Sequence, residues 1–124
     1  MEAEVTILKL KDTLIVPVQV ELHDNAAKAL QEKILMSIEK ENAQGLIIDI
    51  SGIFIVDSFL GRILAETAKM AKLIGAKVVL TGMRKEVVMT LIQLGLNLKD
   101  IDTALNLTEA LEKVNPEFFK GNEE

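Results

Sequence analysis

A mixed, mostly parallel β-sheet opened by a hairpin and covered by four helices is the α/β fold this sequence predicts, and three observations carry the prediction. Two Val/Ile/Leu-rich runs near the N-terminus are separated by a short polar turn. Apolar runs of strand length at 46–50 and 77–81 alternate with segments whose apolar residues recur every three or four positions. Glycines stand where those helical segments should end, at Gly75 and Gly95.

The first two runs, 4–10 and 14–20, flank Lys11, Asp12 and Thr13 and read as a hairpin. Pro17 cannot donate a ladder hydrogen bond, so it marks a bulge or a position whose N–H would face away from a partner. Asp24 or Asn25 caps a helix reaching about Asn42, with Ala27, Leu30, Ile34, Leu35 and Ile38 as its apolar stripe. After Gly45, Leu46-Ile47-Ile48-Asp49-Ile50 reads as a strand buried on both faces. The crossover helix at 58–74 carries Leu60, Ile63, Leu64, Thr67, Ala68, Ala71 and Ile74 toward the core. A short strand at 77–81, a turn at Gly82-Met83 and a helix at 85–94 follow, the helix facing in with Val87, Val88, Leu91 and Leu94. A brief edge strand at 100–103 and a helix at 107–114, capped by Asn106 or Thr108, complete the chain before Pro116.

At 124 residues and 49% apolar, the chain suffices for one core, with roughly two thirds of its unfolded surface buried on folding. Nineteen acidic against 14 basic side chains, and aromatics limited to four Phe, provide neither an electrostatic footprint for nucleic acid nor a platform for stacking bases. With no cysteine, disulfides and thiolate metal sites are excluded. The N-terminus lacks signal-peptide regions and no apolar run approaches a membrane span, so the expectation is a cytoplasmic protein with neither nucleic-acid nor membrane partners.

In sheets of this kind, sites gather at the carboxyl ends of strands, here the loops before Ser58 and around Gly82. Ser58 opens a helix, where unsatisfied N–H groups favour a capping hydroxyl or a phosphate; it could be a cap, a nucleophile or a switch. A hydrolase has thin support: the single histidine, His23, is distant in sequence and no Gly-x-Ser-x-Gly elbow is present. The first βα junction, 21–25, holds no glycine, which argues against a P-loop or dinucleotide site. Asp49, Asp57, Asp100 and Asp102 lack metal-ligand spacing, and neither a metal nor a cofactor is expected. A phosphoaspartate receiver would need an acidic pair after its first strand, which is missing after Leu10. Phe59 falls with Arg62, Glu66 and Lys69 on the helical wheel, either as an exposed interface anchor or as a ring tucked against the sheet edge. Those three charges form a solvated face on which Glu66 is positioned to pair with Arg62 or Lys69.

The strand Ile47-Ile48-Asp49-Ile50, the stretch Val56-Asp57-Ser58-Phe59, the segment from Met70 through Thr81-Gly82, and Leu91-Ile92-Gln93-Leu94-Gly95-Leu96 followed by Asp102-Thr103-Ala104-Leu105 together carry a resemblance. In that order and spacing they resemble the STAS domain of anti-sigma factor antagonists, most closely the single-domain scaffold subtype of the stressosome. The resemblance implies a STAS-like domain over 1–116, with 117–124 a flexible tail. It implies that Ser58 is phosphorylated by a switch serine/threonine kinase that docks on the surrounding loop and helix, for which Asp57, Phe59, Arg62 and Glu66 are the candidate contacts. Unphosphorylated protein, built from dimers into a large hetero-oligomer with sensor STAS paralogues, would hold the kinase; phosphorylation would release it and a phosphatase would reset the system. Thr81 and Gly82 are the candidates for a phosphate or nucleotide contact. Many antagonists place Ser-Ser-Gly where this chain has Ser58-Phe59-Leu60, which favours the scaffold subtype over direct binding of an anti-sigma kinase. The alternative of another class is a small Ser58-dependent hydrolase or nucleotide-binding enzyme.

Overall fold

In the computed structural model, which describes residues 6–18, 24–95 and 101–118, the strands β1 (Leu8–Leu10), β2 (Thr13–Pro17), β3 (Gly45–Asp49), β4 (Lys77–Thr81) and β5 (Asp102–Ala104) lie side by side in chain order. The first pair is antiparallel, joined at Lys11-Asp12 with Lys11 in the left-handed region (φ 57°), and each later pair is parallel. Parallel neighbours need crossovers, which α1 (Asp24–Glu41), α2 (Ser58–Leu73) and α3 (Lys85–Gln93) supply. Since the strand order advances in one direction, right-handed crossovers bring all three helices to one face, and their apolar stripes share one core there. The last helix, α4 (Leu107–Val114), follows the edge strand and packs on the opposite face against β3, β4 and β5.

The two-residue period of the strands divides the core. Leu14, Val16, Leu46, Ile48, Val78 and Leu80 point toward α1, α2 and α3, whereas Ile15, Ile47 and Val79 point toward α4, joined by Ala110, Leu111 and Phe118. This is why 46–50 reads as continuously apolar. Phe118 is buried there with Lys11 Nζ 5.0 Å from its ring centroid, so the domain runs past the expected boundary at 116; the rest of the expected tail, 119–124, lies outside the described residues. At Pro17 the proline reading holds: Val18 N–H bonds the Asp49 carbonyl at 2.8 Å, so the proline nitrogen faces the β1 side, beyond the last hairpin pair Leu8↔Ile15.

The expected strands at 4–10 and 14–20 are shorter among the described residues; 4–5 and 19–20 lie outside them. The edge strand is displaced to Asp102–Ala104, and Asp100 is outside the described residues. Helix α4 is capped by Asn106, whose Oδ1 accepts Glu109 N–H at 2.9 Å, which decides between the two candidates. At the end of α2, Gly75 N–H bonds Lys72 O and Ala76 N–H bonds Ala71 O, with Gly75 at φ 103°. This turn swings Ile74 out of the stripe, and Ile74 is exposed, contrary to expectation. Leu94, the C-cap of α3, is exposed for the same reason, and Val88 is half-buried. Gln31 of α1 is buried, which polarity alone did not suggest: its Nε2 donates to Thr67 Oγ1 at 3.1 Å, and that hydroxyl donates to Ile63 O at 2.7 Å. Lys9 Nζ, 2.9 Å from Glu41 Oε1, ties β1 to the end of α1 and holds that carboxyl below its usual range.

Candidate functional site

The carboxyl ends of β3 and β4 are adjacent, and the loops that leave them meet. After β3 the chain turns sharply: Asp49 Oδ1 accepts Ser51 N–H at 3.0 Å and Ile53 N–H donates to Ile50 O at 3.0 Å. Ile53 and Val56 drop into the main core, which forces the two residues between them outward; Phe54 is 60% and Ile55 69% exposed. Asp57 is extended (φ −86°, ψ 175°) and its Oδ1 accepts Leu60 N–H at 2.8 Å, so Asp57 is the N-cap of α2.

Ser58 is therefore the first helical residue and not the cap. A carboxylate one position upstream answers the free N–H groups and the positive end of the helix better than the hydroxyl does, and Ser58 is left exposed with no hydrogen-bond partner among the described residues. Replacing Asp57 by alanine is expected to cost about 1 kcal/mol and lower Tm by about 3–6 °C, with asparagine nearly neutral. Thermal melts of the two variants check this; equal losses would mean that the side chain acts through its charge alone.

Arg62 and Glu66, four and eight residues beyond Ser58, are exposed on the same helix face, and Glu66 forms no ion pair with either Arg62 or Lys69. Phe59 is half-buried and packs against the main core, so its ring does not stand out as an exposed anchor. The exposed apolar pair is instead Phe54 and Ile55, concealed in the sequence because Ile53-Phe54-Ile55-Val56 reads as one uniform run. The signal lies in the loop's length: between a strand end and a helix cap, four consecutive apolar residues cannot all reach one core.

Thr81 is 1% exposed and its hydroxyl donates to Ala104 O at 3.1 Å, so of the pair proposed to touch phosphate or nucleotide only Gly82 faces the junction. Gly82 (φ 78°) packs on Asp49 and Ser51. Two residues on, Arg84 is the N-cap of α3 but makes no capping hydrogen bond with its side chain. Its Nε donates to Ser51 O at 3.1 Å and its guanidinium lies 3.7 Å from the Phe54 ring centroid. Sequence reading missed this residue, since a lone arginine in a turn carries no pattern.

Chemically, the site offers a free hydroxyl at a helix start without a base: no described side chain hydrogen-bonds Ser58, and His23 lies outside the described residues. A phosphoryl group there would meet the favourable helix terminus on one side and the Asp57 carboxylate on the other. Among the described residues no group of three or more acidic or His side chains is placed to hold a metal, and no helix is long and apolar enough to cross a membrane.

A family model described as the STAS domain matches residues 4–110. RsbS S58E of Moorella thermoacetica superposes with a TM-score of 0.84 at 38% identity, over 92% of this chain and 97% of that one. A chain from a structure titled the molecular architecture of the stressosome, a signal integration and transduction hub, superposes at 0.81 with 40% identity, over 90% and 96%. The RsbT co-antagonist protein RsbRB of Bacillus subtilis (strain 168) is 31% identical over 101 residues, 82% of this chain. This chain spans about a third of the length of that relative (36%).

Proposed function

The chain belongs to the STAS domain family, and from that premise we propose that it is a non-catalytic stressosome scaffold subunit that holds a switch serine/threonine kinase and releases it when Ser58 is phosphorylated. The observation that carries this reading is the Ser58 hydroxyl, exposed and uncommitted at the start of α2 because Asp57 has taken the cap. A modification there adds about −1.5 to −2 charges beside Asp57 without removing any hydrogen bond the fold uses, so it changes what a partner meets while leaving the domain intact. In the cytoplasm, the subunit would pair as a dimer and co-assemble with sensor paralogues of the RsbR kind. The RsbT for which those relatives are named co-antagonists is the candidate kinase, and a phosphatase would return the serine to its free state, in a general stress response or a related signalling response.

Two measurements test this. Intact mass and peptide mapping after incubation with RsbT and ATP should find one phosphoryl group on Ser58, absent without RsbT and absent in Ser58→Ala. In a binding assay Ser58→Asp should weaken RsbT capture about tenfold, roughly the 1.4 kcal/mol of an uncompensated charge at an interface, while Ser58→Ala retains it. Equal binding by the two variants would sink the electrostatic switch, and labelling of Ser58 by a serine-reactive phosphonate without any kinase would move the reading to an enzyme.

A further inference from the structure

Resting on the reading of Ser58 as phosphoacceptor, we propose that Arg84 is a positioning residue for that modification, whose guanidinium holds the Phe54 ring outward as the anchor on which the kinase seats. Arg84 has every opportunity to act otherwise. It sits at the N-cap of α3 but does not cap, and it pairs with no carboxylate among the described residues. Both of its contacts go to the single loop that leads into Ser58: Nε–H to the Ser51 carbonyl at 3.1 Å and the guanidinium face over Phe54 at 3.7 Å. One side chain thus joins the β4–α3 turn to the β3–α2 loop, through a hydrogen bond and a cation–π contact that a single guanidinium makes at once.

The loop so held presents its largest ring to water. Phe54 and Ile55 are exposed while their neighbours Ile53 and Val56 are buried, so the ring has no internal pocket and is kept in place from outside. Ser58 follows Ile55 by three residues, so an enzyme that brings a γ-phosphorus to its Oγ works beside this exposed loop. In that step Ser58 Oγ forms the new P–O bond, the bond from the γ-phosphorus to the bridging oxygen of ADP breaks, and the hydroxyl proton leaves to the kinase or to solvent. Aromatic and arginine side chains are the usual anchors of protein interfaces, and a ring already fixed by its own protein loses less conformational freedom on binding.

The test is the steady-state kinetics of RsbT with ATP on the full chain, varying the concentration of this protein. Phe54→Ala should raise KM about tenfold and Arg84→Ala about three- to tenfold, with kcat within about twofold. Arg84→Lys should restore KM at most in part, because a single ammonium nitrogen lacks the planar face and cannot both donate to the Ser51 carbonyl and lie over the ring as the guanidinium does. The double variant should be no worse than Phe54→Ala alone, as required of a residue that acts through the ring. An unchanged KM in Arg84→Ala, full rescue by lysine, or additive losses in the double variant would each overturn the proposal. Failure of RsbT to phosphorylate Ser58 in the unaltered protein would remove the parent reading and this one with it; normal phosphorylation with unmoved KM values would remove only this one.

Discussion

Gly82→Ala is expected to destabilise the domain by about 2–4 kcal/mol, a large effect for adding one methyl group at a turn. Two causes add. The backbone is at φ 78°, where an L side chain costs about 1–2 kcal/mol. A Cβ would also lie 2.7 Å from Asp49 Oδ1, 2.8 Å from Ser51 Cβ and 3.0 Å from Ser51 N. None of these is the free end of a long side chain: the Asp49 carboxylate is engaged with Ser51 N–H, and the other two atoms belong to the turn itself. Relief requires moving Ser51, whose carbonyl is the acceptor for Arg84. Urea titration should therefore show a lower midpoint with an unchanged slope, and, on the proposed function, a switch kinase should modify Ser58 more slowly in the folded variant. A midpoint within error of the parent would show that the two loops do not touch as described.

The architecture was legible because its determinants are local. The strand at 77–81, the helix at 107–114 and the glycine after α2 follow from runs, periods and breakers within a few residues, and the structure reproduces them. The mixed, mostly parallel sheet followed from the hairpin and the helical crossovers, but the order of its strands came from the structure, because the same units also build sheets of other orders. What escaped the sequence depends on contacts between distant segments. Gln31 is inside because Thr67, 36 residues away, receives its amide hydrogen. Phe118 is inside because α4 returns it to Ile15 and Ile47. Ile74 and Leu94 are outside because a helix ends one residue before its stripe does. At the site, Ser58 was found from its position at a helix mouth, but the cap fell to Asp57, a difference of one residue that decides whether the hydroxyl is free. Arg84 could not have been found, since its contacts exist only when two loops 33 residues apart meet.

The second large effect is expected at Ile53. It is fully buried at the tip of the β3–α2 loop, within the core shared by α1, α2 and α3. Ile53→Ala removes three carbons from that packing and leaves a cavity, at a cost of about 2–4 kcal/mol. Ile55→Ala, two residues along with a side chain of the same size, should change stability by less than about 0.5 kcal/mol, because Ile55 is already in water. Denaturant midpoints of the two variants measure a contrast that hydropathy alone does not predict, since both residues are isoleucine in one apolar run. On the proposed function the division bears on Ser58 as well. Ile53 and Val56 pin the loop from inside, so the outward residues between them keep a fixed position relative to Ser58 and the start of α2. Ile53→Ala should therefore impair phosphorylation of Ser58 by loosening the loop and destabilising the fold, whereas Ile55→Ala should impair it, if at all, in a protein of unchanged stability. Equal destabilisation by the two would mean that the loop packs with its other side inward, and that the surface offered beside Ser58 is not Phe54 and Ile55.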